Sequence, residues 1–204
     1  MSRPLLFAGL RNPGPEYEES RHNVGAEVVG RLAAEAGSSF RRAPRCIRAR
    51  VAAADLPGGR AWLAVPSTFM NESGRGVVPL LRYYKVAVEH LVLVHDDIDL
   101  PFGKLRFHFG RGTGGHNGVA SVVQALGSDS LWRLKVGVGR PPGRMDPADF
   151  VLQRFSARER PDVDRLVVAG AEVLRTFAAA GGEAARQEAG EASARLGIAR
   201  PEPD

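Results

Sequence analysis

The sequence predicts a single-domain α/β fold in which helices cover both faces of one central sheet. Three observations carry that expectation. Leu5 to Gly9 is short and apolar on both faces, as a strand at the centre of a covered sheet must be. Strand-like runs alternate with helix-period runs: Val28, Val29, Leu32, Ala33 and Ala36, then Val77, Leu80, Leu81 and Tyr84, then Val119, Val122, Val123 and Leu126. The 204 residues, 44% of them hydrophobic and 25% charged, suffice for one sizeable core and not for two.

Taken in order, Leu5 to Gly9 leads into the loop Gly9-Leu10-Arg11-Asn12-Pro13-Gly14-Pro15-Glu16-Tyr17, and a helix starts near His22 to Val24. Asn12-Pro13-Gly14 is a turn signal, because proline fixes φ and glycine supplies φ > 0. Arg45 to Leu56 and Arg60 to Val65 read as two strands joined through Pro57-Gly58-Gly59. Pro66 to Asn71 leaves a strand end, Asn71 to Ser73 has the residue types that cap a helix, and Pro79 inside that helix is a potential kink. Leu91 to Val94 is a buried strand running into the acidic loop His95-Asp96-Asp97-Ile98-Asp99. Lys104 to Phe109 alternates, with Leu105, Phe107 and Phe109 on one face and Lys104, Arg106 and His108 on the other. A glycine run from Gly110 to Gly118 precedes the next helix, and Trp132 to Gly139 is a further strand. Arg158 to Gly181 is a long helix that Pro161 is expected to break early. The domain should therefore span 1–181, leaving 182–204 as an Ala- and Glu-rich tail, loosely packed or frayed for want of large apolar residues.

A net charge of +5 and a pI near 10.0 lean towards a polyanionic partner such as nucleic acid. Only three of the 28 basic residues are lysine, so coding bias is a competing source of the arginines. The single cysteine, Cys46, excludes an internal disulfide framework, fits a reducing cytoplasm, and is expected to be packed on a strand. Met1-Ser2-Arg3-Pro4 lacks the apolar length of a signal peptide, and nothing approaches the roughly 20 apolar residues of a membrane span, so a cytoplasmic protein without membrane contact is expected.

Four strand-end loops offer Asn12, His22, Asn71, Asp96, His116 and Asn117 at what should be one sheet edge. That set suits hydrolysis without a protein nucleophile: His22 takes a proton from water, Asp96 holds its imidazole in one tautomer, and asparagine amides donate to a carbonyl or oxyanion. Each residue also has a structural explanation. Asn12 suits an Asx-turn, Asn71 a helix cap, and Asp96 a solvated turn. Gly110, Gly112 and Gly115 satisfy G-x-G-x-x-G, but the strand before them alternates with basic residues and the nearest acid, Asp129, comes too early for a dinucleotide site. No G-x-S-x-G is present, and a metal held by His95, Asp96, Asp97 and Asp99 lacks any supporting H-E-x-x-H or paired cysteines.

The segments GLRNPGPEYEESRHNVG, PSTFMNESG, VHDDIDLPFGKLRF, GTGGHNG and RLKVGVGRPPG, in that order between about Leu5 and Phe155, resemble bacterial peptidyl-tRNA hydrolase. The resemblance implies a monomeric α/β domain with a twisted mixed sheet between helices. It also implies hydrolysis of the ester joining a peptide to the terminal ribose of tRNA, with no metal or organic cofactor. By position, His22 resembles the family's general base, Asp96 its supporting acid and Asn12 the residue that separates blocked from free aminoacyl esters. Tyr17, Phe69, Asn71 and Asn117 fall at substrate-contacting positions, with Met70 and His116 beside them. Lys104, Arg106, His108, Arg133, Lys135 and Arg140 are candidates for tRNA phosphate contacts. Four residues depart from the resemblance: His108 and Lys135 stand where the family usually has Lys and Arg, and Arg11 and Arg111 where it has small residues. The Asn-Arg-rich ending is missing. Two other functions stay open: a relative that binds RNA without turnover, and an esterase on another acylated tRNA or small ester.

Overall fold

The computed structural model describes residues 3–199. Its strands are β1 (Leu5–Gly9), β2 (Arg41–Arg42), β3 (Ala49–Leu56), β4 (Gly59–Pro66), β5 (Leu91–Asp97), β6 (Leu105–Gly110) and β7 (Leu131–Gly137). Its α-helices are α1 (Val24–Glu35), α2 (Ser73–Tyr84), α3 (Asn117–Leu126), α4 (Pro147–Leu152), α5 (Arg160–Ala180) and α6 (Gly182–Leu196). Among the described residues the strands form one mixed sheet in the order β2-β3-β4-β1-β5-β7-β6. β1 is parallel to β4 and β5, and β5 to β7; the pairs at both edges are antiparallel.

All five residues of β1 are buried, which explains why that segment carries no polar position. On one face Phe7, Val94 and Leu134 meet Val28, Leu32, Leu166 and Leu174 of α1 and α5. On the other, Leu6 and Leu93 meet Val77, Leu80, Val119 and Val122 of α2 and α3. Parallel pairing of β4, β1, β5 and β7 brings their carboxyl ends to one edge of the sheet, where ligand sites of open α/β sheets form.

Two glycines set the seat of α1 at that edge. A Cβ on Gly9 would collide with the carbonyl oxygen of Gly25, and one on Gly25 with the carbonyl oxygen of Val94. The first turn of α1 therefore rests directly on the β1 and β5 backbones, which fixes the height of the preceding residues, His22 and Asn23, above the sheet.

Several boundaries differ from expectation. β3 begins at Ala49, not Arg45, because Arg45 and Cys46 adopt φ of 53° and 58°, incompatible with a strand; Cys46 is exposed in that turn instead of packed. Pro161 does not break α5; it occupies the first turn, where its missing N–H costs nothing. α2 likewise continues through Pro79.

The tail is corrected most. From Gly182 to Leu196 it forms α6, with Ala185, Ala189 and Ala192 buried. Small side chains let the helix lie close against edge strand β6, where the Leu105 N–H donates to Ser193 Oγ at 2.8 Å and Ser193 Oγ donates to the Ala189 carbonyl at 2.7 Å. The edge gains a covering and a partner for its backbone without bulky apolar residues. Ile198 is buried beyond it over Gly103, and residues 200–204 of the expected tail lie outside the described residues. No helix among the described residues is long and apolar enough to cross a membrane.

Candidate active site

The loop after β1 is held by an asparagine pair. The Asn12 N–H donates to Asn23 Oδ1 at 2.8 Å, while Asn23 Nδ2 donates to the carbonyls of Asn12 at 3.0 Å and Tyr17 at 2.8 Å. Asn12 Oδ1 in turn accepts the Met70 N–H at 2.7 Å. Because Oδ1 must face that N–H, the amide orientation is fixed and the Nδ2 donors are left for the cavity that Asn12 lines. Asn23 was not singled out from the sequence; its place in RHNVG, ahead of an apolar-period helix, was the available signal.

Two imidazoles converge on one carboxylate oxygen. His116 caps α3: its Nδ1 accepts the N–H groups of Gly118 at 3.1 Å and Val119 at 3.2 Å, so that nitrogen is unprotonated and the ring proton sits on Nε2. Nε2–H then donates to Asp96 Oδ1 at 2.9 Å. His22 Nδ1 lies 2.8 Å from the same oxygen and donates to it. Asp96 is only 2% exposed. Burial raises its carboxyl pKa, but the two imidazoles outweigh that and hold it well below the usual carboxylate range. The anion assigns the His22 tautomer, placing the Nε2 lone pair, which has no partner among the described residues, on the cavity side.

His95 completes the aromatic cluster, its ring 4.6 Å from that of His116. Its Nδ1 donates to the Asp96 carbonyl at 2.6 Å and its Nε2 is buried without a partner. Burial, then the neighbouring His116, pushes its pKa well below the ordinary imidazole value, so it is neutral.

The cavity above these groups has a volume of about 690 Å³. Asn12, His22, Phe69, Met70, Asn71, Asp96, His116 and Asn117 all line it. Asn71 makes no cap for α2: Ser73 Oγ satisfies the Met70 carbonyl at 2.8 Å, and Asn71 stays exposed on the cavity wall. Phe69 is 53% exposed, an apolar platform against which the Tyr17 ring stands edge-on at 6.5 Å; Tyr17 itself supports the wall without lining it.

The opposite wall was missed in the sequence. It is a strap, 146–152, carrying Asp146, Val151 and Leu152. Arg21, buried beside His22, fastens it: Nη2 donates to both carboxylate oxygens of Glu159 at 2.9 and 2.7 Å and Nη1 to the Arg154 carbonyl at 2.6 Å, with the guanidinium 4.3 Å over the Phe150 ring. The 138 residues separating Arg21 from Glu159 leave no local signal.

The acidic run 95–99, expected as a loop, begins inside β5, which continues through His95 and Asp96 to Asp97, and it does not gather as a metal site. Asp97 pairs with Lys135 at 2.6 Å and Asp99 with Arg140 at 2.5 Å. The one group of three potential ligands among the described residues is His22, Asp96 and His116, whose facing atoms already share two protons in hydrogen bonds.

The expected phosphate-binding residues fare unevenly. Arg133 is a correction: it is 2% exposed, and its Nη2 donates to the carbonyls of Gly110 and Asp129, both at 3.1 Å. β7 is covered on both faces, so alternation there does not give an outer face. Lys135 lines the cavity, bound to Asp97; Lys104 donates to the Ser193 carbonyl at 3.3 Å. Arg106 and Arg140 are exposed. His108 is half-buried and less basic than a free imidazole, first through burial and then through Lys135 and Arg133.

Comparison with known proteins identifies the family. The sequence model of the family described as peptidyl-tRNA hydrolase matches residues 6–197. A peptidyl-tRNA hydrolase of Kineococcus radiotolerans is 47% identical over 193 residues, covering 92% of this chain and 98% of the relative. One of Mycolicibacterium smegmatis is 45% identical, covering 91% and 97%. The crystal structure of peptidyl-tRNA hydrolase from Acinetobacter baumannii superposes with a TM-score of 0.82 at 30% identity, over 95% of this chain and 96% of that one. With its sequence matched almost end to end and its fold shared, the chain belongs to the bacterial peptidyl-tRNA hydrolase family.

Proposed function

We propose that the chain hydrolyses the ester between the C-terminal carboxyl of a peptide and the 3′-terminal ribose of tRNA, with His22 as general base. The observation that supports this most is the shared Asp96 oxygen, which orients His22 through Nδ1 and leaves Nε2 free to deprotonate water in the cavity. Hydroxide adds to the ester carbonyl, and the oxyanion draws on amide donors from Asn12, Asn71 or Asn117, each worth about 3 kcal/mol when preorganised. The tetrahedral intermediate expels the ribose oxygen, which takes back the proton held on Nε2. One carboxylic acid and one tRNA hydroxyl result.

A donor at Asn12 Nδ2 suits a peptide carbonyl and repels a free α-ammonium, so blocked esters should be preferred. Phe69 and Met70 offer apolar surface to the peptide or the terminal base. In this reading the enzyme acts as a cytoplasmic monomer and needs no cofactor, since Asp96 and His22 together supply the base. The test compares N-acetyl-aminoacyl-tRNA with unblocked aminoacyl-tRNA by released tRNA. Cleavage of the blocked form, abolished in His22→Ala, is expected; equal cleavage of both would point to another ester, and binding without cleavage to an RNA-binding relative.

A further inference from the structure

The sheet's other flank, away from the expected phosphate contacts, carries a concentration of arginines that the catalytic reading does not use. β3 starts opposite the end of β4, and the Ser67 N–H donates to the Arg48 carbonyl at 2.9 Å. The connection 43–48 therefore runs beside the loop that carries Phe69, Met70 and Asn71. Arg41, Arg42, Arg45, Arg48 and Arg50 are exposed on this connection and its strands, and Arg75 and Arg82 are exposed on α2. A groove of about 540 Å³ between the connection and α2 is lined by Arg45, Arg75, Arg82 and the 40% exposed Tyr83.

Most of this charge is uncompensated. Arg75 pairs with Glu72 at 2.7 Å, Arg50 donates to the Phe40 carbonyl at 3.2 Å, and Arg45 lies 5.6 Å over the Tyr83 ring. The exposed side chains of Arg42, Arg48 and Arg82 make no hydrogen bond or ion pair among the described residues. On the β6–β7 flank, by contrast, Lys135, Arg140, Arg133 and Lys104 are each engaged by a carboxylate or a carbonyl. Clustered like charge disfavours the compact state unless an anion neutralises it. Guanidinium forks suit phosphate, and the interleaved tyrosine gives a face on which a base can stack. The positive potential also reaches the cavity loop. Arg11, next to Asn12, has its basicity lowered first by burial, with Glu18 opposing and Arg50 adding to the effect.

We propose that the arginine flank formed by the β2–β3 connection and the outer face of α2 binds the phosphate backbone of the tRNA whose 3′ end enters the cavity. The inference rests on the substrate reading above, and it assigns a second set of RNA contacts on the opposite side of the catalytic centre. The contacts are to phosphates, so they carry affinity and placement without base sequence.

The test replaces Arg42, Arg48 and Arg82 together by alanine in the full chain, with thermal melting to verify folding, and measures tRNA affinity between about 50 and 200 mM salt. Loss of three phosphate contacts should make the slope of log K against log salt shallower by about 2 to 3, and raise Kd at moderate salt by on the order of tenfold or more. KM for N-acetyl-aminoacyl-tRNA should rise in parallel, and the triple Arg→Lys variant should recover most of the slope. An unchanged slope and KM in the folded alanine variant overturns the inference. So does loss of binding to phosphatidylglycerol vesicles with tRNA affinity intact, which would give the surface to a bilayer. A wild-type protein that fails to cleave blocked tRNA yet shows the slope change would refute the substrate reading alone.

Discussion

Replacing Asp96 by asparagine keeps the volume of the side chain and removes its charge, so the outcome measures how far the two imidazoles depend on an anion. In the native site a carboxylate that is 2% exposed accepts from His22 Nδ1 at 2.8 Å and His116 Nε2 at 2.9 Å through the same oxygen. When His22 takes the proton of water, an imidazolium forms beside that carboxylate. At an effective dielectric constant near 20, two unit charges about 4 Å apart attract by about 4 kcal/mol, an interaction absent in the variant. A barrier increase of about 3 to 4 kcal/mol slows turnover by about 10² to 10³-fold. If instead the amide NH₂ turns to the rings, His22 must accept at Nδ1 and protonate at Nε2, which removes the base; loss of the correct tautomer in a catalytic triad costs about 10⁴. We therefore expect kcat for N-acetyl-aminoacyl-tRNA to fall by about 10² to 10⁴-fold, with KM nearly constant because Asp96 lies beneath the rings. Single-turnover release of tRNA at saturating enzyme reads this directly. A folded Asp96→Asn enzyme within tenfold of wild-type turnover would refute the reasoning.

Asn12→Ala removes both the acceptor for the Met70 N–H and the donor facing the cavity; kcat/KM for the blocked substrate should fall by about 10² to 10³ and the preference over the unblocked form should narrow. An unaltered ratio of the two kcat/KM values would take Asn12 out of selectivity. Arg21→Met should destabilise by about 3 to 5 kcal/mol in urea unfolding, because it strands the buried Glu159 carboxylate, and Arg21→Met with Glu159→Leu should recover most of the loss. His95 has a folded pKa well below its unfolded value, which is near 6.5. Below about pH 6.5 the unfolded chain binds a proton that the folded one refuses, so stability is full above that pH and declines as pH falls, by up to about 1.4 kcal/mol per pH unit. A His95→Gln variant should show a correspondingly flatter decline between about pH 6.5 and 5 in calorimetric melts, and an identical decline would show that His95 does not titrate this way. Gly25→Ala should cost about 1 to 3 kcal/mol and slow turnover, as its Cβ would push α1 and His22 away from the Val94 carbonyl; unchanged melting would show that the close approach is not tight.

The sequence alone placed the central strands β1 and β5, because burial on both faces leaves a contiguous apolar signature that does not depend on distant neighbours; the two-residue edge strand β2 left no such signature, and β3 was expected to start four residues early. The sequence also placed the chemistry around the carboxyl ends of strands, and the structure brings Asn12, His22, Asn71, Asp96, His116 and Asn117 into one cavity, with Asp96 inside β5 and not in a loop after it. Periodicity names the face of a side chain but not what covers that face. Arg133 therefore read as a surface cation although it is buried against the carbonyls of Gly110 and Asp129, and the alanines of α6 read as a loose tail although small residues are what close packing on β6 requires. Only the tertiary structure decided that His116 shares the oxygen of Asp96 with His22, that Arg21 reaches Glu159 across the strap, and that the arginines of the β2–β3 connection stand beside the catalytic loop. Each of these joins residues far apart in the chain through contacts that local propensity does not encode, and the energy of burying a charge or a donor becomes defined only once its partner is in place.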